Sequence, residues 1–177
     1  KKHRLQIAKI EDLIEYRLKK ENFIKLTNKA KFKFKNKIFD KKNFINIIDK
    51  QNHLVISSLN LECHNCRVRV LSLKNKDINK KILSIDEVKK SLNYLCKFKN
   101  FALIIIKNST MNENKSVFKF MSSKKESPAN LIRNYGVGAQ IIKKIGLNNL
   151  ILVTKSKKKI AGLDGFGIKI KKQEIFK

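Results

Sequence analysis

Apolar positions along the chain follow three different periods. From Lys9 to Lys20, Ile10, Leu13, Ile14, Arg17 and Leu18 recur at spacings of three and four, with Glu11 and Asp12 in the first turn, where a helix dipole favours acids. This stretch predicts a helix. Phe23–Phe39 then alternates apolar residues with Lys, most clearly over Lys31-Phe32-Lys33-Phe34-Lys35, and predicts one half-buried strand. Asn43–Asp49 and His53–Leu59 are two further strand-like runs, parted by a polar Lys50-Gln51-Asn52 turn. Arg67–Leu73 alternates again. The period changes at Ser84, which stands before Asp86 and Glu87 as a helix cap, and the helix runs on through Leu92, Leu95 and Cys96. Phe101–Ile106 is a continuous apolar run, the mark of a strand covered on both faces. Lys107–Pro128 is polar and reads as a loop. Leu131–Ile145 predicts an amphipathic helix closed by Gly146. Asn149–Thr154 is a second buried strand, Lys155–Lys159 a basic loop, Ile160–Leu163 a short apolar piece, and Ile168–Ile175 a last strand behind Gly165 and Gly167. The sum is a mixed α/β (α+β) domain, with a β-rich first half and a strand–helix–strand second half.

Composition narrows the picture. A chain of 177 residues that is 42% hydrophobic can bury a real core. No apolar run approaches the ~20 residues that span a bilayer, so no membrane partner is expected. The first residues, Lys1-Lys2-His3, are charged and lack an apolar leader, and the chain reads as a segment of a longer protein. Three cysteines make no disulfide framework and point to a reducing, cytoplasmic setting. The net charge of +28 raises nucleic acid as a partner. Yet the arginines are only Arg4, Arg17, Arg67, Arg69 and Arg133, and phosphate and base recognition favours Arg for its bidentate fork. The Lys is spread over the whole chain beside abundant Asn, Ile and Phe, residues that share A/T-rich codons, so the charge argues weakly for nucleic acid.

Candidate chemistry is sparse. Cys63-His64-Asn65-Cys66 has the C-x-x-C spacing of a zinc site, but four ligands, or three and a water, are needed. Cys96 falls at an apolar helix position and reads as a core thiol. Gly136 and Gly138 sit inside a predicted helix, where close packing is their expected role. No G-x-x-x-x-G-K-[ST] phosphate loop occurs, and with 14 acids in all, paired-carboxylate chemistry is not indicated.

Two stretches carry a resemblance. Leu131-Ile132-Arg133-Asn134-Tyr135-Gly136-Val137-Gly138-Ala139-Gln140-Ile141, then Leu152-Val153-Thr154, then Lys159 to Ile168 with its glycines, resembles the "R-D-Y-G-I-G-A-Q-I-L … L-L-T-N-N-P-x-K-x-x-G-L-x-G-Y-G-L" stretch of GTP cyclohydrolase II. Lys2–Ile7 and Ile10–Arg17 are similar to the tail of 3,4-dihydroxy-2-butanone 4-phosphate synthase, which is often fused in front of that enzyme in riboflavin synthesis. The resemblance implies residues 1–22 as a synthase tail and linker helix, and 23–177 as a cyclohydrolase-like domain.

The family converts GTP to formate, pyrophosphate and a diaminopyrimidine with a three-cysteine zinc site. The resemblance implies that Arg133 is the nucleophilic Arg and that Thr154 and Lys159 contact nucleotide. It places Leu131 at the proton-accepting Asp, Lys107-Asn108-Ser109-Thr110-Met111 at the Arg-Gln-Glu-Gly-Arg loop, Cys63 at the first zinc cysteine and Ile82-Leu83-Ser84 at the later Cys-x-Cys pair. The expectation is a catalytically degenerate domain of a riboflavin enzyme, kept for structure or regulation. No cofactor is expected in it, a GTP or other phosphate ligand is allowed, and the upstream synthase and a homodimer are its implied partners. Two rivals stay open. One is an active cyclohydrolase whose zinc uses Cys63, Cys66 and His64; the other is a Lys-rich module for nucleotide or nucleic acid.

Overall fold

A computed structural model describes residues 10–74, 82–108, 128–156 and 164–176. Helix α1 (Ile10–Lys20) leads into strands β1 (Ile24–Phe34), β2 (Lys37–Asn46), β3 (Asn52–Ser57) and β4 (Cys66–Lys74). Helix α2 (Asp86–Leu95), β5 (Phe101–Asn108), α3 (Pro128–Lys144), β6 (Asn149–Thr154) and β7 (Lys169–Ile175) follow. The strands form one seven-stranded sheet in the order β1-β2-β3-β5-β4-β6-β7. Its first part, β1-β2-β3-β5, is antiparallel. The part β5-β4-β6-β7 is parallel. The mixed α/β class expected from the pattern is the class observed.

Each face of the sheet has its own core. On β5, Ala102, Ile104 and Ile106 join the α3 residues Val137, Ala139, Ile141 and Ile142. The alternate residues Phe101, Leu103 and Ile105 join the α2 residues Val88, Leu92 and Leu95. This two-sided cover is why Phe101–Ile106 is a continuous apolar run.

The motif glycines are packing residues. A Cβ on Gly136 would lie 2.5 Å from Leu18 Cδ1, and one on Gly138 would lie 3.3 Å from Ile106 Cδ1. Gln140 completes the contact between α3 and α1. Its Oε1 accepts from Phe23 N at 3.0 Å, and its Nε2 donates to Leu18 O at 2.8 Å and Glu21 O at 2.9 Å.

Several boundaries differ from the sequence expectation. Phe23–Phe39 is two strands, because Lys35 and Asn36 both take positive φ (45° and 59°) and form a tight hairpin. Asn43–Asn46 completes β2 rather than opening a new strand. Ile47–Asp49 is a turn in which Asn46 Oδ1 accepts from Ile48 N at 3.0 Å. Ser84 does not cap α2: it belongs to a 3-10 turn, Ile82–Ser84, and Ile85 is the cap residue, without a side-chain bond. Helix α3 starts at Pro128, three residues ahead of Leu131, which suits Pro at a first helical position. Most of the Lys107–Pro128 loop and all of Ile160–Leu163 lie outside the described residues. No helix among the described residues is long and apolar enough to cross a membrane.

Candidate functional site

Ligand sites of parallel sheets lie beyond the carboxyl ends of the strands. Thr154 is the last residue of β6, and α3 begins after the carboxyl end of β5, so its sixth residue, Arg133, belongs to the same end by topology. The side chain of Arg133 and the whole of Lys159 lie outside the described residues. The Thr154 carbonyl accepts from Phe176 N at 2.8 Å, while Thr154 Oγ1 is sealed from solvent without a partner. By strand alternation Thr154 shares the α3 face with Leu150 and Leu152.

His53 shares that face, two residues before Val55. It is 3% exposed, and its Nδ1 accepts from Lys107 N at 3.3 Å. That bond leaves the proton of the neutral ring on Nε2, which has no partner. Burial pushes the imidazole pKa down to about 4, against a weaker upward pull from Asp49. Two strands, β5 and β4, separate β3 from β6, so His53 and Thr154 stand ~14 Å apart across the sheet and act separately.

The α2 face carries a charged network that the alternating pattern of β4 did not reveal. Arg69 is 3% exposed. Its Nε donates to Ser91 Oγ at 2.7 Å, its Nη1 to Val153 O at 3.4 Å and its Nη2 to Glu87 Oε1 at 3.3 Å. The same Glu87 oxygen meets Lys155 Nζ at 2.8 Å. Burial pushes the Arg69 pKa down while Glu87 holds it up. Arg67, two residues earlier, pairs with Glu174 at 2.9 Å and lies over the Phe98 ring at 3.8 Å. The only sequence signal for a buried Arg69 was its place in a strand with Leu71 and Leu73 on the same face.

The cysteine loop lies at the other end of the sheet. Cys66 opens β4, level with Leu150 near the start of β6. Asn100 fixes the loop: its Nδ2 donates to Glu62 O at 3.0 Å and His64 O at 2.9 Å, and its Oδ1 accepts from Glu62 N at 3.2 Å. Cys63 is exposed and Cys66 is buried. Burial pushes the Cys66 thiol up to about 12, which disfavours the thiolate that binds metal. Cys96 is partly buried against the α2-side core, as its apolar position suggested.

These placements bear on the metal positions that the resemblance implies. Cys63 precedes β4 and Ile82–Ser84 follow it, so the nine residues of β4, ~30 Å of strand, stand between them. They cannot share one ion. Among the described residues no three His, Cys, Asp or Glu side chains gather as a ligand set. The residues present at these positions do not fit the zinc that the resemblance implies.

Comparison with known proteins supplies the family. The profile of GTP cyclohydrolase II matches residues 25–174. The chain belongs to the GTP cyclohydrolase II family. This family member is 31% identical to a 3,4-dihydroxy-2-butanone 4-phosphate synthase of Campylobacter jejuni, over 96% of this chain and 45% of that protein. It is 51% identical over 39 residues to riboflavin biosynthesis protein RibBA of Bacillus subtilis, 22% of this chain and 10% of that one. The crystal structure of RibBX, a two-domain 3,4-dihydroxy-2-butanone 4-phosphate synthase from A. baumannii, shares the fold. The TM-score is 0.66 at 19% identity, covering 98% of this chain and 46% of that one. The chain thus spans under half the length of the synthases it matches.

Proposed function

We propose that this cyclohydrolase II domain is catalytically degenerate and serves riboflavin biosynthesis as a structural or regulatory domain behind a 3,4-dihydroxy-2-butanone 4-phosphate synthase. The observation that carries the reading is the composition of the carboxyl end of the sheet. Apolar Ile82 and Leu83 stand with Ser84 where the family has its Cys-x-Cys pair, and Cys63, at the position of the first zinc cysteine, precedes β4 at the opposite end of the sheet. Leu131 stands where an acid would take the proton, and a Leu side chain has no group to do so. By contrast Gly136, Gly138 and Gln140, which pack α3 against α1 and β5, are all retained. The parts that hold the shape persist, while two of the three zinc ligands and the proton acceptor do not.

In this reading the domain works in the cytoplasm, as part of a homodimer, joined to the synthase through α1. Arg133, Thr154 and Lys159 are the residues left to hold a phosphate or GTP. Metal analysis of the full-length protein tests the proposal. We expect no stoichiometric zinc. One zinc per chain, lost in Cys63→Ser, would overturn it in favour of an active cyclohydrolase with a rebuilt site.

A further inference from the structure

Helix α2 carries two stripes. Val88, Ser91, Leu92 and Leu95 are buried against the sheet. Lys90, Asn93 and Tyr94 recur at i, i+3 and i+4, so they form a second stripe beside the first, and Lys97 follows in the turn after the helix. This second stripe is one wall of a groove of about 660 Å³, and Lys155 and Phe176 form the other. The volume falls in the ~300–1,000 Å³ range of small-molecule sites.

Two features give the groove a ligand class. The rings of Tyr94 and Phe176 meet at 5.0 Å between centroids, and Arg69 backs Phe176 at 4.7 Å. The rings are tilted by 57° and form an aromatic corner, and both remain partly accessible. Lys90, Lys97 and Lys155 surround it, all exposed. Lys155 is paired with Glu87, whereas Lys90 and Lys97 have no acidic partner among the described residues. An aromatic surface beside free cations suits a flat heterocycle with an attached phosphate.

We propose that this groove binds a mononucleotide-class ligand, its ring against the corner formed by Tyr94 and Phe176 and its phosphate among Lys90, Lys97 and Lys155. The groove is on the α2 face, whereas Arg133 belongs to the helix on the opposite face, so it is a second site. It does not depend on whether the domain turns GTP over.

Calorimetric titration of the full-length protein with AMP, GMP, ribose 5-phosphate and inorganic phosphate tests the proposal. AMP or GMP should saturate at one per chain, with ribose 5-phosphate at least ~10-fold weaker, because stacking on an aromatic side chain is worth that much. Tyr94→Leu should weaken the nucleotide ~5-fold or more while Tyr94→Phe restores it. The double change Lys90→Gln and Lys97→Gln should weaken nucleotide and ribose 5-phosphate together. Both lysines are exposed, so this variant decides the matter if Tyr94→Leu fails to fold. Equal binding of AMP and ribose 5-phosphate would overturn the proposal. So would an unchanged affinity in the double Lys variant, non-saturable binding erased by salt, or loss of binding in Arg133→Ala, which would put the ligand at the other site.

Discussion

The two ends of the parallel strands make an instructive contrast. The amino end holds the most metal-like sequence in the chain, Cys63-His64-Asn65-Cys66, and there Asn100 spends its amide on fixing a loop. The carboxyl end, where parallel sheets place their ligands, looks bland in sequence. Yet it contains Thr154, with a buried hydroxyl left unpaired, and His53, with a buried N–H left unpaired. A motif's spacing is thus weaker guidance than the end of the sheet on which it falls.

The strongest way to sharpen this contrast is to disturb the network that joins α2 to the strands on the carboxyl side. Arg69→Ala removes a buried cation from Ser91 and the Val153 carbonyl and leaves a void against Phe176. Chemical unfolding should show a loss of about 3 kcal/mol or more. A loss below about 1 kcal/mol would mean the network is peripheral.

Next comes pH. The folded His53 pKa, about 4, lies below the ordinary 6.5, so folding favours the neutral ring. Its stability is full above pH 6.5 and is lost as pH falls through about 4. At ~1.4 kcal/mol per unit the loss is about 3 kcal/mol. Unfolding titrations of the native protein and His53→Gln should diverge in slope between pH 6.5 and 4. Parallel curves would remove His53 from the buried end.

At the amino end the effects are smaller. Asn100→Ala deletes three hydrogen bonds to the loop backbone and should cost about 2 kcal/mol. Smaller still is the effect of alkylation, which reads accessibility with no change of fold. Exposed Cys63 should react with iodoacetamide at least ~100-fold faster than Cys66, whose thiol is buried and pushed up to about 12. Equal rates, or protection of both thiols by added zinc, would restore this loop as a metal site.

Sequence pattern reached far for the elements that pack on two sides. The Phe101–Ile106 run and the glycines at 136 and 138 announced their environments, since a doubly covered strand must be apolar throughout and a helix pressed on Leu18 must lack a Cβ. It failed where a local choice depended on distant partners. The Lys35-Asn36 hairpin has no Gly to mark its positive φ angles. Arg69 looked like a solvated strand residue because Ser91 and Glu87, which make its burial tolerable, lie on a helix about twenty residues away. At the site itself, residue identities showed which side-chain types stand at each position, but only the sheet showed that Cys63 and Ile82–Ser84 are at opposite ends.

GTP turnover is the most direct measure of the central claim. Formate release by the full-length protein, assayed with GTP and added zinc, should not rise above the level of the Arg133→Ala variant. Zinc-dependent release that Arg133→Ala abolishes would show an active cyclohydrolase and contradict the account.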